Sequence, residues 1–156
     1  MDSTDIKIIN CLSENARMSS SMIGERISMS VSAVIERIKK LEQAGVIKRY
    51  PVILNPEAIG KEMVAFVFVN LDHPRYNDCF IDLIKQSSEI TECHMITGDF
   101  DFLIKVMTHS TKSLERILDG IKRIKGVSLT RTLVVLRSAK EEFVSISLND
   151  DGFAHI

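Results

Sequence analysis

Apolar residues recur at helical spacing along three stretches near the start of the chain. The first covers residues 4–14 with Thr4 as its N-cap, and the second is a short helix that follows a cap at Ser19. The third begins after Ser30 and extends to about residue 44, with an apolar face formed by Val34, Ile38 and Leu41. A short helix, a tight turn and a longer helix predict a helix-turn-helix.

The next segment indicates the end of this first domain. Residues 46–54 are rich in β-branched and apolar side chains, which predicts one or two short strands, and Pro51 favours an edge strand or a turn between them. Residues 55–60 then combine a capping asparagine, a proline at a first helical position and a terminal glycine. We therefore predict a winged helix-turn-helix DNA-binding domain over 1–50, a linker over 51–61 and a second domain over 62–156.

The second domain alternates strand and helix patterns. Strands are predicted at 63–71, 90–96, 102–108 and 127–136, with another at 143–148, and amphipathic helices at 75–87 and 111–124. The order β-α-β-β-α-β is typical of an α+β ferredoxin-like fold, in which both helices cover one face of a four-stranded antiparallel sheet.

The strands at 63–71 and 127–136 are apolar on both faces, although helices cover only one. One face of the latter strand is expected to hold Val127, Leu129, Arg131, Leu133 and Val135. An uncovered apolar sheet face favours symmetric pairing of two copies, and a loop or the strand at 143–148 is the alternative cover.

Charge changes the picture only through its distribution. The formal net charge is −1, but residues 26–49 hold six basic side chains against two acidic ones. The small residues at the N-terminal end of the third helix suit contacts with base edges in the major groove. Ser30 serves primarily as the N-cap of this helix. Phosphate contacts are expected further along and in the wing. The candidate DNA-binding residues are Ser30, Val31, Ser32, Ala33, Arg37, Lys40, Lys48 and Arg49.

Several classes of protein are disfavoured by composition. Three widely spaced cysteines and four scattered histidines form neither a disulfide framework nor a zinc pattern, so no metal and no cofactor are expected. The longest apolar run is far shorter than the ~20 residues of a membrane helix, and the acidic start lacks a secretory signal. We expect a cytoplasmic protein that does not bind membranes.

Residues 27–47, ISMSVSAVIERIKKLEQAGVI, resemble the helix-turn-helix of the Lrp/AsnC, or feast/famine, transcriptional regulators. The opening residues 2–9 are similar to that family's first helix. Residues 92–103, ECHMITGDFDFL, resemble its sensor-domain signature, and Gly126-Val127 followed by Thr130-Arg131-Thr132 resembles its final strand. The motifs occur in the family's order over nearly the whole chain. One departure is Ser28, which stands where the family usually has a glycine.

The resemblance implies a homodimer formed through the sheets, commonly assembled into a tetramer of dimers, that binds double-stranded DNA. It also implies a small-molecule effector, usually an amino acid, bound between dimers. The family's effector pocket maps onto Gly98, Asp99, Asp101, Thr130 and Thr132. An amino acid is a zwitterion: its ammonium needs nearby protein carboxylates, and its carboxylate needs N–H or hydroxyl donors. These residues provide both, and Gly98 permits close approach of the backbone.

Three other functions stay open on the sequence. A related branch decarboxylates siroheme with histidines near the sensor pocket, but His73, His94 and His109 form no evident His/Arg cluster. A nucleoid-type architectural protein would bind DNA with little sequence preference. A winged helix used for protein interaction is the third alternative to a sequence-specific regulator.

Overall fold

The structure is a computed structural model that describes residues 1–141. Within it, the chain divides at Val52 and Ile53: the first unit begins with Met1–Val52 and the second is Ile53–Lys140. The division falls inside the predicted linker, 51–61. The predicted strand at 143–148 lies outside the described residues.

The first unit contains three helices: α1 (Ser3–Glu14), α2 (Ser20–Ile27) and α3 (Val31–Gln43). Ser19 and Ser30 cap α2 and α3 as predicted, each accepting a hydrogen bond from a backbone N–H three residues on. The predicted Thr4 cap is wrong, because Asp2 caps α1 in a reciprocal capping box with Asp5. The small core beneath the helices is formed by Ile8, Cys11, Ile23, Val34 and Leu41.

The predicted strands at 46–54 are absent from the described residues. Gly45 (φ 70°) ends α3, and the chain then runs on without a ladder partner, with Pro51 contributing no N–H. Residues 55–61 form turns, not a helix: Lys61 N–H donates to the Pro56 carbonyl at 2.8 Å, and Gly60 adopts φ 69°.

The second unit has the predicted ferredoxin-like order. Its strands are β1 (Met63–Leu71), β2 (Ile90–Met95), β3 (Phe102–Thr108) and β4 (Val127–Val134), and its helices are α4 (Asn77–Ile84) and α5 (Thr111–Lys122). All paired strands are antiparallel, in the order β2-β3-β1-β4. The predicted helix over 75–87 is shorter, because a 3-10 turn (Pro74–Tyr76) precedes α4.

One face of the sheet packs on the helices. Alternate residues of β1 and β3 are fully buried there, and Phe80 of α4 lies 4.8 Å from Phe102 between ring centroids. The core consists of Ala65, Val67, Val69, Phe80, Ile84, Phe102, Ile104, Val106, Leu114 and Ile121.

A bulge corrects the predicted face of β4. Asn70 pairs with Leu129 but Leu71 pairs with Val127, so one residue of β4 is skipped. Val127 therefore packs against the core, while Leu129, Arg131 and Leu133 lie on the opposite, open face. Leu129 and Leu133 are 54% and 47% exposed, so this apolar face is uncovered within the described part of the chain.

Candidate DNA-binding and effector sites

The N-terminal end of α3 is a surface of small and apolar side chains. Val31 and Ile35 are 44% and 53% exposed, Ser32 is exposed and Ala33 is partly buried. Ser30 Oγ accepts from Ala33 N–H at 3.3 Å and lies 3.3 Å from Ser32 Oγ. These side chains can offer methyl and hydroxyl contacts to base edges in a major groove. Ile35 was not among the predicted residues, although its position one turn after Val31 would have indicated it.

The turn between α2 and α3 holds a serine in a left-handed conformation. Ser28 has φ 59° and ψ 50°, and it is the sole non-glycine residue with positive φ in the described chain. Gly24 makes the turn compact: its carbonyl accepts from Met29 N–H at 2.8 Å, and a Cβ on it would lie 2.6 Å from the Met29 carbonyl oxygen. Gly24 was not predicted from the sequence, because a glycine inside a helix gives no sign of what packs on it.

Arg37 is held by α1. Its Nη1 donates to Asp2 Oδ2 and Asp5 Oδ1, both at 2.7 Å. The carboxyl pKa values of Asp2 and Asp5 are lowered, first by each other's backbone N–H and also by Arg37. The predicted phosphate contact is therefore already engaged in an intramolecular ion pair in this conformation.

The other predicted phosphate-binding residues are more available. Lys40 pairs with Glu36 at 2.7 Å, an exposed pair one helical turn apart, whereas Lys48 and Arg49 form no ion pair within residues 1–141. An exposed pair of this kind is worth little, so Lys40 can exchange it for a phosphate.

The predicted effector segments approach one end of the sheet without meeting. Gly98, with φ 114°, lies in the turn between β2 and β3, and the Asp99 carboxylate is exposed beside it. Asp101 is already bonded, because its Oδ2 accepts from Leu71 N–H at 2.8 Å. Thr130 and Thr132 on β4 pair with Val69 and Val67 of β1. Since β1 separates β4 from β3, Thr130 lies two strand spacings, about 10 Å, from the start of β3.

The histidines do not form a cluster among the described residues, which hold no group of side chains suited to a metal ion. His94 lies 3.3 Å from Glu92, the Nδ1 of His73 accepts from Arg75 N–H, and His109 contacts the Gly60 carbonyl at 2.6 Å. No helix within residues 1–141 combines the length and apolar character needed to cross a membrane.

Both units match known protein families. A winged helix-turn-helix DNA-binding family matches residues 1–48, and the Lrp/AsnC ligand binding domain matches residues 64–145. The HTH-type transcriptional regulator FL11 of Pyrococcus furiosus is 34% identical over 90% of this chain and 93% of its own length.

Solved structures agree with these matches. The transcriptional regulator NMB0573 of Neisseria meningitidis, solved as an L-Met complex, superposes with a TM-score of 0.89 at 29% identity, covering 96% of this chain and 97% of its own. AsnC of Escherichia coli superposes with a TM-score of 0.88 at 25% identity, covering 94% and 99%. The helix-turn-helix, the ferredoxin-like sheet and these relatives place the chain in the Lrp/AsnC family of DNA-binding transcriptional regulators, and not among enzymes.

Proposed function

We propose that this protein is a sequence-specific transcriptional regulator whose assembly and DNA binding change when an amino acid binds its second unit. The observation that carries the proposal is the presence, in one chain, of an exposed recognition helix and a unit of the Lrp/AsnC ligand-binding family. The L-Met complex of the Neisseria meningitidis regulator supports an amino acid as the class of effector.

The recognition helix supports DNA reading through α3. Val31, Ser32 and Ala33 would face base edges, with Ser30 as the cap at the entering end, while Lys40, Lys48 and Arg49 would contact phosphates. Replacing Lys40 or Lys48 with alanine should weaken binding to every sequence and reduce the slope of log affinity against log salt by about 0.9 for each phosphate that is no longer neutralised. Lys112→Ala on α5 is the control. If the Lys40 and Lys48 variants keep the wild-type slope, these two residues do not contact phosphates.

The open sheet face supports assembly. The exposed side chains of Leu129 and Leu133 form an apolar surface that a second copy would cover, giving a homodimer. The dimers would assemble further into a tetramer of dimers. The effector would bind between dimers, where Gly98, Asp99 and Asp101 of one copy can meet Thr130 and Thr132 of another. In one chain Thr130 lies about 10 Å from the start of β3, which favours such a shared site over a pocket within one subunit.

The test is a melting-temperature screen against the twenty standard L-amino acids, followed by sedimentation of the protein with the best one. A native-state ligand raises the melting temperature by mass action, and the proposed response predicts a concentration-dependent change in sedimentation coefficient as well. If an amino acid binds but the sedimentation coefficient does not change, the proposed effect of the effector on assembly is wrong. No melting shift with any amino acid would overturn the amino-acid effector.

A further inference from the structure

Asn70 lies between the two segments assigned to the effector. It is the next-to-last residue of β1 and half-buried, and it is also the residue at which the β1–β4 pairing shifts register. On one side β3 begins with Phe102, preceded by the turn that contains Gly98 and Asp99. On the other side runs β4 with Thr130. Asn70 was not among the residues predicted from the sequence.

The side chain of Asn70 holds the turn by two hydrogen bonds. Its Nδ2 donates to the Asp99 carbonyl at 2.8 Å, and its Oδ1 accepts from Asp101 N–H at 2.9 Å. A primary amide offers both a donor and an acceptor at this spacing. A carboxylate of the same shape would keep the acceptor but set a negative oxygen against the Asp99 carbonyl.

Further hydrogen bonds join the turn and the end of β1 in the opposite direction. The Asp101 carboxylate accepts from Leu71 N–H at 2.8 Å, and Asp101 N–H is shared with the Val69 carbonyl at 3.1 Å. The Asn70 carbonyl accepts from Ser128 Oγ of β4 at 3.1 Å. Asn70 is thus bonded both to the turn and to the strand that holds Thr130.

The turn is also fixed to the open sheet face by an aromatic contact. The Phe100 ring lies 5.2 Å from the Phe68 ring between centroids, and Phe68 belongs to the open face. Asp99 and Asp101 are both exposed, but the Asp101 carboxylate already accepts from Leu71 N–H, so Asp99 is the more available acidic group of the turn for a ligand.

We propose that Asn70 is a positioning residue for effector binding, a role that rests on the proposed function. Its amide fixes the Asp99 and Asp101 backbone, so the turn keeps one conformation. Because the turn is already ordered, binding the ligand at the Asp99 carboxylate does not lose the conformational entropy of ordering it. Asn70 itself need not touch the ligand. The ligand class is an α-amino acid whose ammonium pairs with Asp99.

The experiment compares Asn70→Asp with wild type in the full-length protein, with Ser128→Ala as the control that removes only the bond to β4. Titration calorimetry uses the L-amino acid that gives the largest melting shift in wild type. We expect Asn70→Asp to bind it at least tenfold more weakly and to bind DNA without effector as wild type does. Ser128→Ala should keep the wild-type affinity within about twofold.

The outcomes separate this role from the proposed function. If wild type binds no amino acid, the effector response and the role of Asn70 both fail. If wild type binds one and Asn70→Asp binds it equally well, the role of Asn70 alone is overturned. If Asn70→Asp does not fold, Asn70→Ser, which removes both bonds without adding charge, replaces it and must show the same loss of affinity. An equal loss of effector affinity and effector-free DNA affinity would indicate general destabilisation and contradict a positioning role.

Discussion

Arg37 of the recognition helix and Asp5 of the first helix are joined by a hydrogen-bonded ion pair of 2.7 Å, and the same nitrogen also reaches Asp2. Asp5 and Arg37 are both half-buried, so this contact is less exposed than the pairs Arg26–Glu14 and Lys40–Glu36 of the first unit. The acidic start of α1 thereby fixes α3, the helix proposed to read DNA. We expect this contact to restrain α3 relative to α1.

This pairing predicts non-additive effects on stability. Arg37→Ala and Asp5→Ala should each lower the melting temperature, and the double variant should lose less than the sum, because either change already breaks the contact. Lys39→Ala, on an exposed position of the same helix, should leave the melting temperature near the wild-type value. Strictly additive losses would show that Arg37 and Asp5 act independently.

The same pair predicts how the first unit responds to acid. The folded pKa values of Asp2 and Asp5 lie below their ordinary value of 3.8, because hydrogen bonds from each other's backbone, and then Arg37, favour the ionised carboxylates. Lowered pKa values contribute stability above about pH 4 that is lost as the pH falls through the folded values. Chemical denaturation from pH 6 to pH 2 should show this loss in wild type and less of it in Arg37→Ala. Parallel curves for the two proteins would contradict the assignment.

Ser28 predicts a stabilising substitution. A left-handed residue other than glycine costs about 1–2 kcal/mol, so Ser28→Gly should raise the free energy of unfolding by about 1 kcal/mol. Ser21→Gly, the same change inside α2, should lower it by about 0.5 kcal/mol. Urea denaturation measures both. A destabilised Ser28→Gly protein would mean that the serine side chain stabilises the turn in a way its backbone angles do not indicate.

Tyr50, in the segment that follows α3, is expected to titrate at an unusually high pH. Tyr50 donates to Glu42 Oε1 at 2.9 Å, and partial burial of its ring, followed by this hydrogen bond, raises the pKa of Tyr50 to about 12. Phenolate absorbance should therefore show a tyrosine titrating near pH 12 that is absent from Tyr50→Phe and retained in Tyr76→Phe. Because the folded pKa lies above the unfolded value, stability from this residue is lost as the pH rises from about 10 through 12. A titration midpoint near pH 10 for Tyr50 would show that its hydroxyl does not contact Glu42 in solution.

The helices and most strands could be predicted because their signals are local. Ser19 and Ser30 indicate the starts of their helices, and the continuous apolar run gives β1 its observed bounds, Met63–Leu71. The Asp2–Asp5 capping box was also present in the sequence, but the predicted helix began at Thr4, inside it. The strands at 46–54 were predicted from propensity, yet a strand needs a ladder partner, and propensity does not specify one.

The features that shape the sites depend on contacts between distant segments. Neither the ion pair of Arg37 with Asp5 nor the bonds of Asn70 with the turn follows from periodicity, since the partners lie about 30 residues apart. The bulge at Asn70 likewise reverses the expected face of Val127. Resemblance predicted effector residues in the turn at 98–101, but only the geometry indicates that the Asp101 carboxylate already accepts a hydrogen bond from Leu71.

The most direct measurement of the central claim is the affinity of the full-length protein for a DNA sequence selected from a random pool, compared with a scrambled sequence at fixed salt. It is made with and without the amino acid that raises the melting temperature most. We expect at least a thousandfold preference for the selected sequence and a change in that affinity when the amino acid is added. Equal affinity for the two sequences, unaltered by any amino acid, would contradict the claim and indicate a low-specificity architectural protein.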